Sequence, residues 1–291
     1  MAAQVFRCGD RSFDLTSRTH VMGVLNVTPD SFSDGGLYFD PEAAILQASL
    51  MIEEGADIID IGGESSRPAG PYGRGAEAVS EEEEKRRTAP VIEAIASRFD
   101  TPISIDTVKA DVARTAIDAG ATIVNDISGL KSDSGMLEIV SSRNASIVIM
   151  HMKGIPQTMQ KAPTYKDLIS EIFSFLRESA STAISHGVEK DKIAIDPGLG
   201  FGKTYEQNYE IIRSLQRFLA LDHPLLVGPS RKTFVGVDFA LPPGNREEGS
   251  LAASVLCARA GAHFIRVHNV KATRRALFVA DRIRFLGGTE T

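Results

Sequence analysis

Two cysteines, no surplus of positive charge and no long apolar run set the outer limits of what this chain can do. Cys8 and Cys257 stand far apart, outside any C-x-x-C or Cys/His pairing. A disulfide framework is thereby excluded, no zinc site is indicated, and a reducing cytoplasm suits the composition. No stretch approaches the roughly 18 apolar residues of a membrane span. The N-terminus also lacks a basic segment followed by an apolar core, so a cytosolic protein is expected. The 32 Lys and Arg against 38 Asp and Glu leave a net charge of -6 without a basic tract, which gives no electrostatic footprint for duplex nucleic acid. Internal repeats, low-complexity segments and linkers are missing too. A single domain over residues 1–291 is therefore the expectation, long enough to bury a sizeable core.

What is present is organised around residues 193–203, IAIDPGLGFGK, where an apolar run ends in Asp196 and turns through Gly198, Gly200 and Gly202. A strand must stop at Asp196-Pro197, because proline removes a ladder donor and fixes its own φ. The glycines then let backbone amides approach something closely. Neither familiar phosphate loop fits: a P-loop needs glycine where this chain has Pro197, and in the dinucleotide pattern Gly202 arrives one residue early. Taken alone, Asp196 is read equally well as a turn cap.

The same event recurs along the chain. Residues 5–15 alternate apolar and polar around Gly9-Asp10, as a β-hairpin does. Apolar strands follow at 20–27, 56–61, 102–107, 122–128, 146–152, 193–196, 224–227 and 264–268, with helical spacing between them and a last helix over 270–285. After Ser80 come four glutamates and then Lys85, Arg86 and Arg87. Glu81-Lys85, Glu82-Arg86 and Glu83-Arg87 are i,i+4 pairs of the favourable orientation, which reads as a solvated helix start capped by Ser80. Eight strands each followed by a helix predict an α/β fold, a (β/α)8 TIM barrel whose bottom is closed by the N-terminal β-hairpin. An open doubly wound sheet is the runner-up.

A barrel of this kind gathers the C-terminal ends of its strands at one mouth. The exits read Asn26, Asp60, Arg67, Asp106, Asn125, His151, Asp196, Ser230 with Lys232, and Arg266 with His268. Any one of them is explained by a cap, a turn or a wall position; polar residues at eight successive exits are not. Asp106, Asn125 and Asp196 offer acceptors to a flat, donor-rich heterocycle through charge-assisted bonds, and Lys232 a donor to a ring carbonyl. Asn26, Arg67, Arg266 and His268 suit an anion with its metal. A ring at one end and a phosphate-like group at the other is the inferred ligand.

The strings VLNVTPDSFSDGG from Val24, DIGGESSRP from Asp60, SIDT from Ser104, VNDISG from Val124, HMKGIPQTMQ from His151, DPGLGFGK from Asp196 and GPSRK from Gly228, with the later GSLAAS and RVH, carry a resemblance. In their order and placement the chain resembles the dihydropteroate synthase family, pterin-binding TIM-barrel enzymes of folate synthesis, along nearly its whole length. The resemblance implies transfer of the 7,8-dihydropterin-6-ylmethyl group from 6-hydroxymethyl-7,8-dihydropterin diphosphate to p-aminobenzoate, releasing diphosphate. It implies Asp106, Asn125, Asp196 and Lys232 for the pterin ring, with Met150 as an apolar wall. Arg266 and His268 would hold the diphosphate with Arg67, and Asn26 would bind the accompanying Mg2+. Ser66, Pro68, Phe201 and Ser230, with Phe32 closing over them, match the p-aminobenzoate side, where sulfonamides compete in the family. Two departures stand out: Asn269 replaces the aspartate usual after RVH, and DTVKA occupies the third exit where tyrosine and proline are common.

With no nucleophile beside a partnered base, and an aniline nitrogen that already carries a lone pair, the hard step is departure of diphosphate. The expected mechanism is dissociative, with the leaving group's charge taken up by Arg67, Arg266, His268 and Mg2+. The loops at 28–36 and 62–70, rich in Gly, Pro and Ser, are expected to order over the second substrate, pterin binding first. Three alternatives remain at this point. A methyltetrahydrofolate-dependent methyltransferase shares the barrel and the Asp/Asn/Asp set but has no use for the anion residues. A non-catalytic pterin-binding paralogue is the second, and a barrel aldolase built on Lys232 the third. The family suggests a homodimer through late helices, and Val255, Leu256, Leu277 and Phe278 would serve it or simply pack inward.

Overall fold

A computed structural model describes residues 4–28, 41–65, 78–155, 159 and 163–285. The first elements are the antiparallel strands β1 (Val5–Cys8) and β2 (Arg11–Asp14), which turn at Gly9-Asp10 with Gly9 at φ +53°. The remaining elements alternate: β3 (His20–Asn26), α1 (Pro41–Glu53), β4 (Ile58–Gly62), α2 (Glu81–Ala96), β5 (Ile103–Asp106), α3 (Ala110–Asp118), β6 (Ile123–Asp126), α4 (Met136–Ser142), β7 (Ser146–Met150), α5 (Leu168–Ser185), β8 (Ile193–Asp196), α6 (Tyr205–Arg213), β9 (Leu226–Val227), α7 (Glu247–Arg259), β10 (Phe264–Val267) and α8 (Val270–Phe285). The eight strands from β3 to β10 form one parallel sheet in the order β8-β7-β6-β5-β4-β3-β10-β9. A parallel bridge between Ile195 and Leu225 and a 2.8 Å bond from Ile195 N to Pro224 O join its two ends. The expected barrel thus forms, and the open sheet does not.

Strand alternation assigns each apolar residue a side. Val21, Leu25, Ile59, Ile61, Ile103, Ile105, Val124, Ile147, Ile149, Ile193, Ile195, Val227, Ile265 and Val267 face outward and pack in one cluster with the helices. Met22, Ile58, Ile123, Val148, Ala194, Leu226 and Phe264 point into the barrel near the strand starts and form a second cluster with Phe6, Cys8 and Leu15 of the hairpin. The hairpin is therefore the floor, tied by a 2.6 Å bond from Ser146 Oγ to the Arg7 carbonyl and by edge contact of the Phe6 and Phe264 rings at 5.4 Å. Above the apolar layers of the lower barrel, the inward positions toward the strand ends carry Asp60, Asp106, Asn125, Asp196 and Arg266.

Candidate active site

Strand register brings Asp106 beside Asn125 and Asp60 beside Ser104. All lie on the inner face, where β10 adds Arg266. The guanidinium bridges two carboxylates: Nε donates to Asp60 Oδ2 at 2.5 Å and Nη2 to Asp106 Oδ2 at 2.6 Å. Asn125 Nδ2 donates to the same Asp60 oxygen at 3.2 Å. Burial pushes the Asp106 carboxyl up to about 7, only partly opposed by Arg266. Burial works against the Arg266 charge as well, but Asp60 and Asp106 outweigh it and hold the guanidinium above its ordinary value.

At the end of β8 both readings of Asp196 hold. Its Oδ1 accepts a 2.7 Å bond from Gly198 N, the turn-capping role, and the side chain is also buried in the mouth with its pKa raised by burial against the pull of Lys232. Gly198 (φ +70°) and Gly202 (φ +66°) fix the loop that follows. A Cβ would lie 2.0 Å from the His151 carbonyl at the first and 2.2 Å from the Lys153 carbonyl at the second. Lys203 folds back beneath this loop, 1% exposed, and its Nζ meets His151 Nδ1 at 2.9 Å, the Phe201 carbonyl at 2.9 Å and the His151 carbonyl at 3.2 Å. Burial and the neighbouring Lys203 push the His151 imidazole down to about 2, so it is a neutral acceptor and a wall residue. Lys232 reaches across from the β9 exit to the Leu199 carbonyl, with Nζ 4.6 Å from the centroid of the Phe201 ring. Burial pulls its ammonium down to about 8 against the support of Asp196. Met150, Met159 and Phe201 supply the apolar wall.

Arg266 and His268 of the anion half have protein partners of their own. Asn26 ends β3 beside Gly62, where a Cβ would lie 3.6 Å from Asn26 Oδ1 and 3.7 Å from Asp106 Cβ, so the two side chains flank one gap. Ser230 Oγ is 3.0 Å from His268 Nδ1 and accepts from His268 N at 3.3 Å. Ser230, expected beside p-aminobenzoate, is thus a partner of the histidine expected on the diphosphate. Arg266, also expected on the diphosphate, sits on the carboxylates of the ring half. Phe32, Ser66, Arg67 and Pro68 lie outside the described residues. Sequence reasoning gave no role to Asp60 or Lys203, although an aspartate within the apolar strand IIDIG and a lysine closing a glycine turn were the available signals.

The description "pterin binding enzyme" belongs to the family model that matches residues 22–268. A dihydropteroate synthase of Escherichia coli is 47% identical over 270 residues, 93% of each protein. Among solved structures, the Yersinia pestis dihydropteroate synthase in complex with a sulfonamide drug superposes with a TM-score of 0.89 at 42% identity, covering 96% of this chain and 98% of that one. The Xanthomonas albilineans dihydropteroate synthase in complex with 7,8-dihydropteroate gives 0.84 at 40% identity, over 96% and 98%. The likeness runs along nearly the whole sequence and takes in the barrel and its mouth, and the chain belongs to the dihydropteroate synthases, the pterin-binding transferases of folate synthesis.

Proposed function

We propose that the mouth of the barrel carries the dihydropteroate synthase reaction through the residues just described. One observation supports this above the others: Asp106, Asn125, Asp196 and Lys232, drawn from four different strand exits, gather at the mouth around Asp60 and Arg266. Asp106 and Asp196 accept from the pterin's N–H groups, Lys232 donates to its carbonyl, and Met150 lies against its face, with Phe201 on the p-aminobenzoate side. 7,8-Dihydropteroate, bound by the Xanthomonas albilineans relative, is the product in this chain too. The C–O bond between the exocyclic methylene and diphosphate breaks first, leaving a cation that the electron-rich ring stabilises. The p-aminobenzoate nitrogen then forms the new C–N bond and gives up its extra proton to solvent. His268, its imidazole fixed by Ser230, and Arg266, held in place by its bonds to Asp60 and Asp106, take up the charge growing on the leaving oxygen.

Magnesium fits this mouth in a limited way. Among the described residues no group of three His, Cys, Asp or Glu side chains is arranged to hold a metal. Asn26 offers one amide oxygen, and a small divalent cation that keeps its waters and takes substrate phosphate oxygens needs little more from the protein. When bound, Mg2+ supplies charge neutralisation at the diphosphate. Sulfonamide competition for the p-aminobenzoate side belongs to the same reading. So does a cytosolic setting, supported by two buried free cysteines and by the lack, among the described residues, of any helix long and apolar enough to cross a membrane. A homodimer through α7 and α8 is supported by Leu256, Phe278, Val279 and Ile283, which stand about three-fifths exposed. Of the other two residues expected there, Val255 is half-buried and Leu277 packs into the core.

The test is diphosphate release from 6-hydroxymethyl-7,8-dihydropterin diphosphate by purified protein with Mg2+, with and without p-aminobenzoate. Release that requires p-aminobenzoate and yields 7,8-dihydropteroate is expected. Pterin binding without release would favour the non-catalytic reading.

A further inference from the structure

Asp60 is fully buried, belongs to no expected ligand set, and yet one of its oxygens serves two residues of the ring site. Oδ2 accepts from Arg266 Nε at 2.5 Å and from Asn125 Nδ2 at 3.2 Å, while Oδ1 has no hydrogen-bond partner. Oδ2 already accepts from the Arg266 guanidinium, so it presents an acceptor to Asn125. The Asn125 amide must therefore turn its NH2 toward Asp60, because the flipped amide would set a carbonyl oxygen against a carboxylate oxygen in a buried, weakly screening site. One orientation is left, and in it Asn125 offers a ligand its Oδ1 and its second N–H in a fixed order.

We propose that Asp60 is a positioning and specificity-determining residue, acting through Asn125 to set which pteridine edge the site accepts. The inference rests on the assignment of Asn125 to the ring. An amide edge of one acceptor and one donor pairs with a ring edge of opposite order. In a pterin, C2 carries an amino donor beside the N1 acceptor. In a lumazine, the 2,4-dioxo analogue, C2 carries a carbonyl acceptor beside an N1–H donor, the reverse order. A free asparagine serves either ring by flipping through 180°, and one locked by Asp60 serves only one. Discrimination between a 2-amino and a 2-oxo ring, differing by a single exocyclic group, is thus written into a residue that need not touch the ring.

The experiment compares 6-hydroxymethylpterin with 6-hydroxymethyllumazine by calorimetry on wild type, Asp60→Asn, Asn125→Ala and the double variant. The amide introduced by Asp60→Asn would offer Asn125 either an acceptor or a donor, so the flip is released and the pterin-to-lumazine affinity ratio is expected to fall about tenfold or more. Asn125→Ala should lower the ratio similarly, and the double variant should lower it no further, since both changes act on one amide. Should Asp60→Asn not fold, Asp60→Ser serves, because a hydroxyl also donates or accepts. A merely structural role lowers both affinities and the melting temperature together and leaves the ratio unchanged; that result overturns the proposal. Wild type that binds neither ring would overturn the pterin assignment itself, and this inference with it.

Discussion

At the scale of single residues, the site holds two groups whose protonation is poised around neutrality. Burial raises Asp106 to about 7 and lowers Lys232 to about 8. The proposed ring recognition uses the ionised carboxylate and the protonated amine, so the two set opposite limbs. Below about 7 the carboxyl is protonated in the empty site, binding has to expel that proton, and affinity falls by about tenfold per unit as pH drops. Above about 8 the ammonium is lost and affinity falls again. Calorimetric titration of 6-hydroxymethylpterin across neutral pH should show an optimum between the two values, with proton release on the acid side. Asp106→Asn should remove the acid limb and keep the alkaline one; an affinity that runs flat through pH 7 would contradict this. Both positions stand out in sequence, Asp106 at the end of an apolar strand and Lys232 in the exit loop after one. Their partners were not legible there. Arg266 reaches Asp60 and Asp106 across 206 and 160 positions of chain, and only strand register decides that it meets carboxylates where an anion-binding role was expected.

At the scale of elements, the acidic start of α2 shows how tertiary neighbours redirect local pairing. Ser80 caps the helix as expected, accepting from Glu83 N at 3.3 Å, and Glu83 pairs with Arg87 at 2.7 Å. The other two expected pairs give way. Arg86 also turns to Glu83, and Lys85 reaches Asp111 of α3 at 2.9 Å. Glu84, inside a run read as solvated, is 1% exposed; burial raises its carboxyl against the pull of Lys109. Lys109, from the unusual DTVKA exit, clasps Glu84 at 2.6 Å, the Val79 carbonyl at 2.7 Å and Glu64 as well, while Arg87 holds the Gly63 carbonyl at 2.9 Å. Exits of β4 and β5 are thus tied to α2 by charge. Lys109→Met should cost about 2 to 3 kcal/mol in urea denaturation, since it strands a buried carboxylate. In the double variant with Glu84→Gln much of that cost should vanish, a coupling of about 1 kcal/mol or more. Additive losses would show that the two groups do not act as a pair. The last helix gives the converse case: Asn269, a departure from the family pattern, caps α8 by accepting from Ala272 N at 3.0 Å, as its residue type alone suggests.

At the scale of the whole molecule, the barrel was legible because eight β-rich runs and their helices leave few ways to close. What sequence could not supply was the layering inside, since alternation marks a residue as inward without saying at which height. The structure separates an apolar floor, where Phe6 meets Phe13 and Phe264, from a polar mouth, and this separation makes stability and binding independently adjustable. Phe6 is 1% exposed and sits among Met22, Ile58 and Phe264 in the floor cluster. Phe6→Ala removes a ring from that cluster and should cost about 3 to 5 kcal/mol, seen as a lower melting temperature. Well below that temperature the folded variant should keep wild-type KM values for both substrates, because the residues of the mouth rest on strand register, which the hairpin does not set. Phe264 lies only two residues before Arg266 on β10, so the opposite outcome is concrete. A raised KM for the pterin diphosphate in the fully folded variant would mean that the hairpin positions Arg266 through that strand, and that the floor belongs to the site.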